Sequence, residues 1–420
     1  MVTGTEEKTT GWWAPAAAGA GVIALCYGFA RYAYGLFVPR FSETFGLTTT
    51  AVGVLGGLST AGYGVGLLVS PVTSRRSARG TVLLAGASAT LGLALMAAAP
   101  GVVVFGTGIA FAGIGAGLVS PGVAQLIGET VSSRVQARAQ TWANTGTGLG
   151  LAVSAFTPLL AFGWPAIWWT FAALGAGMTV LAWRTLPRSP EVPRAGGSRL
   201  AGRPLPERDQ TPAVTGRGPA EQEDKTLLTR RASPRPDRNS AAVGPLVVNS
   251  VLIGATSAPY WTFSHSRLAE AGLSTVASTL CWATIGVAGL LGGLAGRAAS
   301  RTGLRNANLA AWTMAAAGIA LLALPRPGIG LALLSSALFG VSYMALTGLC
   351  ILWATRVFPA RPARGVTWSF AGLGAGQTAA SPLAGAAGSA VGLAAVFGVT
   401  GLAALLAWGQ RSPRLAPPSS

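Results

Sequence analysis

The chain has 420 residues, of which 51% are hydrophobic and only 10% are charged. Because soluble domains carry about 25% charged residues, this composition excludes an ordinary soluble protein and favours an integral membrane protein in a lipid bilayer. The formal net charge is +18, but the basic residues lie in short tracts between apolar runs. The chain therefore lacks the basic folded surface of a nucleic-acid-binding protein, and we expect no nucleic acid as a partner.

The apolar runs begin after a polar tail at residues 1–13, which we place in the cytoplasm. A secretory signal would start with basic residues and have a shorter apolar core, whereas this chain starts with Glu6 and Glu7. Runs of about 20 apolar residues predict twelve transmembrane spans, at 14–38, 50–72, 81–99, 102–127, 139–162, 165–186, 243–266, 275–299, 306–325, 328–355, 364–386 and 389–409. The runs do not alternate apolar and polar residues, so they predict an all-α membrane protein rather than a β-barrel.

A polar segment between the sixth and seventh spans divides the chain into two halves. Residues 187–240 are rich in Pro, Arg and acidic residues, which predicts a disordered cytoplasmic linker. Its mixed charges indicate a solvated segment or, alternatively, a contact with lipid headgroups. The predicted domains are a six-helix bundle at 14–186, the linker at 187–240, a second six-helix bundle at 241–409 and a cytoplasmic tail at 410–420.

The short loops predict the orientation of the chain. With the N-terminus inside, eleven arginines fall in inner loops and three in outer loops, which agrees with the positive-inside rule. An even number of spans then puts both termini in the cytoplasm, with the protein in the inner cell membrane. The inner set is Arg75, Arg76, Arg79, Arg134, Arg138, Arg297, Arg301, Arg305, Arg356, Arg361 and Arg364, and the outer set is Arg40, Arg267 and Arg326.

The two halves share an internal repeat, because residues of the first half recur 226 positions later. The matches include Gly28 with Gly254, Tyr34 with Tyr260, Trp142 with Trp368, and Gly146, Gly148 and Gly150 with Gly372, Gly374 and Gly376. Since one offset serves most of a half, the repeat predicts two pseudo-symmetric bundles. The glycines spaced four residues apart predict close helix packing or, alternatively, smooth faces along which the two halves move.

Two parallel six-helix halves joined by a polar linker match the layout of the major facilitator transporters, and the chain resembles this superfamily across essentially all of its membrane portion. The resemblance rests on the loop after the second span, which in the family reads roughly Gly-x-Leu-Ala-Asp-Arg-x-Gly-Arg-Arg. Here Ser70–Arg79 reads SPVTSRRSAR, and its repeat Gly296–Arg305 reads GRAASRTGLR. Within the superfamily, the stretch GFARYAYGL resembles a poorly characterised bacterial branch with an Arg in the first helix.

The resemblance implies gating loops at these two places. The residues concerned are Ser74, Arg75, Arg79, Ser300, Arg301 and Arg305. Because Ser74 and Ser300 stand where the family often has Asp, the charge-pair latch of the family would lack its acid in this chain.

The first span carries a permanent charge, Arg31, in the stretch CYGFARYAYGLFVPRF. An Arg inside a span costs at least roughly 2.5 kcal/mol unless it finds a partner or reaches the interface. Tyr27 and Tyr34 are spaced to share a helix face with Arg31, and the resemblance puts spans one and seven at a central cavity. The predicted pocket consists of Tyr27, Arg31, Tyr34, Ser257, Tyr260 and Trp261. The alternative is that Arg31 reaches the interface or caps a neighbouring helix.

Other polar residues of the spans are weaker candidates. Gln125 and Asn249 face the cavity or, alternatively, form interhelical hydrogen bonds. None of the twelve acidic residues falls in the middle of a span, so we expect no buried carboxylate for proton coupling. His265 is the only histidine, and it is either an interfacial residue or a proton relay.

These features predict a secondary or facilitative transporter that moves a small organic solute, anionic or neutral, by alternating access. The chain has no nucleotide-binding motif and no metal-ligand spacing, so we expect neither an enzyme nor a cofactor or metal site, and we expect a monomer. One alternative is an efflux pump for hydrophobic compounds. An alternative from another class is a non-transporting membrane sensor or scaffold.

Overall fold

The computed structural model describes residues 11–187, 240–358 and 362–407, and these residues form helices without any β-strand. The long helices of the first half are α1 (Trp13–Phe45), α2 (Thr49–Arg76), α3 (Ala78–Ala97), α4 (Val102–Thr130), α5 (Ser133–Ala155) and α6 (Trp164–Thr185). Those of the second half are α7 (Ser240–Glu270), α8 (Thr275–Gly292), α9 (Leu304–Leu321), α10 (Ile329–Val357), α11 (Pro362–Val391) and α12 (Leu393–Leu406). The predicted linker, most of both predicted tails and Arg361 lie outside the described residues.

Seven of the described helices are long and apolar enough to cross a membrane, namely α1, α2, α3, α4, α6, α8 and α10. The remaining long helices coincide with predicted spans but are shorter or more polar. For example, α12 has 14 residues, and α9 begins with Arg305, Asn306 and Asn308. A multi-pass membrane protein is therefore confirmed, whereas the count of twelve spans stays a prediction.

Several predicted boundaries differ from the observed helices. Helix α1 continues through Pro39 to Phe45, and its middle, Ala24–Tyr32, is wound as a π-helix. Helix α5 ends at Ala155 and a 3₁₀ turn follows at Thr157–Leu159, because Pro158 cannot continue the hydrogen-bond ladder. Helix α8 ends at Gly292, and a separate short helix follows. The continuation through Pro39 could not be predicted, since Pro inside a span is tolerated where neighbouring groups satisfy the backbone.

Two arginines predicted in outer loops lie within helices. Arg40 belongs to α1 and donates a hydrogen bond to the carbonyl of Pro158 at 2.7 Å. Arg267 belongs to α7, is 3% exposed, and donates to the carbonyls of Leu322 at 3.0 Å and Leu324 at 2.5 Å. The guanidinium of Arg267 thus caps the carboxyl end of α9, where the helix dipole favours a cation.

Equivalent glycines of the two halves make equivalent helix crossings. Gly28 of α1 packs against the backbone of Gly150 of α5, so that a Cβ at Gly28 would overlap that backbone. In the second half, Gly254 of α7 packs in the same way against α11, and Gly376 of α11 packs against the carbonyl of Val251. These pairs are related by the 226-residue offset, so the repeat in the sequence corresponds to a repeat in packing. Small residues allow this approach of the backbones.

Two of the helix pairs that join the halves are lined by small residues. Helix α2 packs on α11, where Gly53 lies against Ser381 and the hydroxyls of Thr60 and Thr378 lie 2.9 Å apart. Helix α5 packs on α8, where Gly148 lies close to the backbone of Gly286. The repeat relates α2 to α8 and α5 to α11, so each crossing is the counterpart of the other.

The glycine crossings predict the effect of adding a single methyl group. We expect Gly376→Ala to destabilise the protein by about 1–3 kcal/mol, because its Cβ overlaps a carbonyl that belongs to a rigid helix. Gly64→Ala is the matched control, since nothing lies within 4 Å of a Cβ built there. Thermal unfolding of the detergent-purified protein checks this, and equal melting temperatures for the two variants would contradict it.

Candidate functional site: a tyrosine-lined chamber around Arg31

The π-helical segment of α1 carries Arg31 into the interior of the protein. Arg31 is 7% exposed and lies about 14 residues before the end of α1 at Phe45, which is about 21 Å along the axis at 1.5 Å per residue. A helix that stopped before Pro39 would have left only about 12 Å. The charge therefore lies near the middle of a long helix, well away from both of its ends.

Three tyrosine rings surround the guanidinium of Arg31. Its Cζ lies 4.3 Å from the ring centroid of Tyr63, 5.4 Å from that of Tyr32 and 5.9 Å from that of Tyr27. These distances fall within the range of cation–π attraction, about 6 Å. The aromatic faces thus compensate part of the lost hydration of the charge.

A hydrogen-bond chain links Arg31 to the second half of the protein. Arg31 Nη2 donates to Gln377 Oε1 at 2.6 Å, and Gln377 Nε2 donates to Ser257 Oγ at 3.2 Å. The ion pair found among the described residues joins Arg267 to Glu270. Within that part of the chain, Arg31 therefore has a neutral amide as its hydrogen-bond partner and no acidic counterion.

A small chamber opens beside Arg31 between the two halves. Its lining comprises Arg31, Tyr32, Tyr34, Gly56, Ser59, Thr60, Ala258, Trp261, Thr262, Gln377 and Ser381. The free volume is about 30 Å³, which holds one or two water molecules. Tyr32 and Trp261 close one side by stacking across the halves with ring centroids 4.2 Å apart. An organic solute enters this chamber only if side chains or whole helices move apart.

Five of the six residues predicted for the pocket lie in or beside this chamber. Arg31, Tyr34 and Trp261 line it. Tyr27 faces the guanidinium and accepts a hydrogen bond from Ser120, and Ser257 accepts the hydrogen bond from Gln377. A binding role for these side chains is a prediction that depends on their shared position at the chamber.

The other predicted residues lie elsewhere. The hydroxyl of Tyr260 lies 2.9 Å from Ser335 Oγ and its ring stacks on Phe339, inside the second half. Asn249 Oδ1 accepts a hydrogen bond from Trp312 Nε1 at 3.0 Å in a separate buried cluster. Gln125 is exposed and donates to Glu129. Tyr260 and Asn249 form interhelical hydrogen bonds, which for Asn249 is the alternative that the sequence left open. Gln125 bonds within its own helix, which is neither of the two positions expected for it.

Comparison with known proteins decides the family. The sequence profile of the Major Facilitator Superfamily matches residues 20–367. The chain belongs to the Major Facilitator Superfamily. A search of curated protein sequences finds no match.

Solved structures of superfamily members have the same fold. One is a POT family transporter in complex with a thioalcohol-conjugated peptide, with a TM-score of 0.72, 13% identity, and coverage of 95% of this chain and 96% of that chain. Another is a D-xylose-proton symporter, with a TM-score of 0.70, 17% identity, and coverage of 95% and 98%. A third is the nucleoside transporter NupG, with a TM-score of 0.69, 13% identity, and coverage of 94% and 98%. Family and fold together indicate a transporter rather than an enzyme.

The loops that correspond to the superfamily's gating motif differ between the halves. Ser74 is buried and its hydroxyl has no hydrogen-bond partner within the described residues. Ser300 is exposed and donates to the carbonyl of Arg297. Arg79 donates to the carbonyl of Trp183 and so ties its loop to the end of α6. The side chains of Arg75, Arg301 and Arg305 are exposed. A gating role for these residues stays a prediction.

Sequence reasoning missed four side chains near Arg31: Tyr32, Tyr63, Tyr343 and Gln377. Tyr32 follows Tyr27 by five residues, which separates two side chains on an α-helix but aligns them on a π-helix, and their rings lie 6.0 Å apart. Tyr63 lies among the glycines of α2, and its proximity to α1 depends on how closely those helices pack. Tyr343 of α10 packs on Trp261 with ring centroids 5.2 Å apart. The only available signal was the scarcity of tyrosine, with 6 in the whole chain.

Asn249 is buried in its own hydrogen-bonded cluster and Gln125 is exposed, so replacing each residue should affect stability differently. Asn249→Leu leaves the buried indole N–H of Trp312 without its acceptor, so we expect a loss of about 1–2 kcal/mol in stability. Gln125→Leu is the control, because Gln125 is exposed and its replacement should leave stability nearly unchanged. Thermal unfolding measures both, and equal stabilities would show that the Asn249 cluster contributes nothing.

Proposed function

We propose that this protein is a secondary transporter of small organic anions that works by alternating access. In this proposal twelve helices form two pseudo-symmetric bundles in the inner cell membrane, with both termini in the cytoplasm. The glycine crossings repeated at an offset of 226 residues support the two bundles. The excess of arginines in the predicted inner loops supports the orientation.

The observation that carries the anionic substrate is the state of Arg31. A buried charge without a counterion is costly unless a partner arrives from elsewhere. Gln377 supplies one neutral acceptor at 2.6 Å, whereas a guanidinium has five N–H donors in a planar fork that fits a carboxylate. A bound anion would supply the missing charge, which favours an anionic solute over a neutral or cationic one.

The arrangement of the chamber supports alternating access. Residues of α1 and α2, such as Tyr32 and Thr60, line one side of the chamber, and Trp261 and Gln377 of α7 and α11 line the other. The contacts between these helices close the chamber around about 30 Å³. A rocking motion of one half against the other would open it while Arg31 remains at the pivot.

Arg31→Gln tests the proposal most directly. Because Gln retains hydrogen-bonding capacity but no charge, we expect uptake of the transported anion into proteoliposomes to fall at least about 30-fold, as for loss of a buried charge partner. Arg40→Gln is the matched control, since Arg40 lies in the same helix and bonds the carbonyl of Pro158 outside the chamber. Its transport should stay near that of the unmodified protein. Because Arg40 lies close enough to His265 to act on it electrostatically, the two variants are compared by exchange of labelled for unlabelled anion without a pH gradient.

Two results would count against the proposal. Equal anion transport by the Arg31→Gln and Arg40→Gln variants would remove Arg31 from the site. Transport of uncharged hydrophobic dyes that does not depend on Arg31 would favour the hydrophobic efflux pump, to which an aromatic lining is equally suited.

His265 is our candidate for coupling transport to protons. It is 7% exposed, and its Nδ1 has no hydrogen-bond partner among the described residues. The described acidic side chains, Glu43, Glu129 and Glu270, lie at helix ends, so none of them stands in the middle of a span. An imidazole that accepts and releases a proton would supply the coupling that a carboxylate supplies elsewhere.

His265→Ala separates coupled from uncoupled transport. We expect the variant to lose accumulation driven by a pH gradient while it keeps exchange of labelled for unlabelled anion across the same membrane. Both rates are measured in one proteoliposome preparation with and without the gradient. Unchanged accumulation would remove His265 from the mechanism without affecting the role of Arg31.

A further inference from the structure

The carboxamide of Gln377 occupies one binding position on Arg31. A guanidinium only donates hydrogen bonds, so the oxygen of Gln377 must face Nη2, where it lies at 2.6 Å. The other end of the amide is fixed by Ser257, whose hydroxyl donates in turn to the carbonyl of Gly254 at 3.1 Å. Gln377 is 2% exposed, so no solvent competes for this arrangement.

A carboxylate oxygen on the same donor would bind more strongly than this amide oxygen. Hydrogen bonds between ionised partners are about twice as strong as neutral ones, and a carboxylate can also use a second N–H of the fork. An incoming carboxylate therefore displaces Gln377 from Arg31. Because Arg31 belongs to α1 and Gln377 to α11, the displacement breaks a bond between the two halves.

The charges around the chamber restrict the rest of the substrate. Arg31 is the one charged side chain in its lining. A second carboxylate on the substrate would find no cation there, and an ammonium group would find no acid while the nearest rings already face the guanidinium. Each such group would be buried without a partner, which is costly.

The rings around the chamber suit a flat apolar body. Tyr32 and Trp261 already stack on each other at 4.2 Å, and Trp261 also contacts Tyr343. Opening the Tyr32–Trp261 pair would provide two facing ring surfaces, and offset or edge-to-face packing on such surfaces favours an aromatic ligand.

We propose that the chamber takes a monocarboxylate with an apolar, aromatic body and no ammonium group, and that Gln377 holds the carboxylate's position on Arg31 in the empty protein. This inference rests on the proposed function and names the substrate class for the same site. Gln377 is thereby a specificity-determining residue whose amide is exchanged for the substrate.

Four ligands that share a phenylpropyl unit test the substrate class on the purified full-length protein by quenching of tryptophan fluorescence. The probe is 3-phenylpropanoate. Phenylalanine adds an ammonium group, benzylmalonate adds a second carboxylate, and 3-phenylpropan-1-ol removes the charge. We expect 3-phenylpropanoate to bind and the other three to bind at least about tenfold more weakly. Phenylalanine and benzylmalonate would bury a charge without a partner, and the alcohol has no charge with which to displace Gln377 from Arg31.

Two replacements of Gln377 test its role. Gln377→Glu puts a fixed carboxylate on Arg31, so 3-phenylpropanoate should bind at least about 30-fold more weakly, as in Arg31→Gln. Gln377→Leu has a similar volume and removes the competing acceptor, so this variant should bind the probe at least as tightly as the unmodified protein. Thermal unfolding confirms that each variant is folded, and the opposite effects of Glu and Leu distinguish competition from general damage.

The outcomes separate this inference from the proposed function. Equal binding of phenylalanine or benzylmalonate, or undiminished binding by folded Gln377→Glu, would overturn the inference while an Arg31-dependent anion site remains. The inference also fails if 3-phenylpropanoate does not bind but succinate or phosphate binds in an Arg31-dependent manner, and the proposed function then stands. If none of these anions binds in an Arg31-dependent manner, both fail.

Discussion

A permanent positive charge inside an apolar helix is the constraint on which the centre of this protein depends. Arg31 cannot lose its proton, and at 7% exposure it cannot rely on bulk water. The charge is stabilised by aromatic ring faces from α1 and α2 and by a side-chain amide from α11. The helices that supply these groups come from both halves, so accommodating one charge also holds the halves together at the chamber.

The frame around this charge is made from residues with almost no side chain. Gly28 and Gly150 in the first half, and Gly254 and Gly376 in the second, let α1 and α7 approach their neighbours until the backbones touch. Lipid provides no hydrophobic driving force for helices to associate, so the van der Waals contacts between these close backbones stabilise the helix pairs instead. The close contact also fixes the position of α1 closely enough for Arg31 to reach Gln377 across the interface.

Much of the frame could be predicted from the sequence, because it depends on periodic and repeated features. Apolar runs located the helices, and the 226-residue offset paired glycines that make equivalent crossings. Arg31 and Trp261 were predicted for one pocket, and they line one chamber. Tyr34 and Tyr260 occupy equivalent positions in the sequence repeat, but their surroundings differ. Tyr34 lines the chamber, whereas Tyr260 packs among Ser335 and Phe339. Tyr32 and Gln377 could not be placed, because a π-helical turn and a contact between distant helices leave no periodic pattern.

The crossing of α2 on α11 has a further consequence for how the two halves can part. Its contacts include glycine backbone and paired hydroxyls, such as Thr60 with Thr378 at 2.9 Å and Thr50 with Ser389 at 3.1 Å. When the two helices part, each freed hydroxyl can take a water molecule in place of its former partner. The polar contacts of this crossing are therefore exchanged for hydration on opening, at little cost in hydrogen bonds.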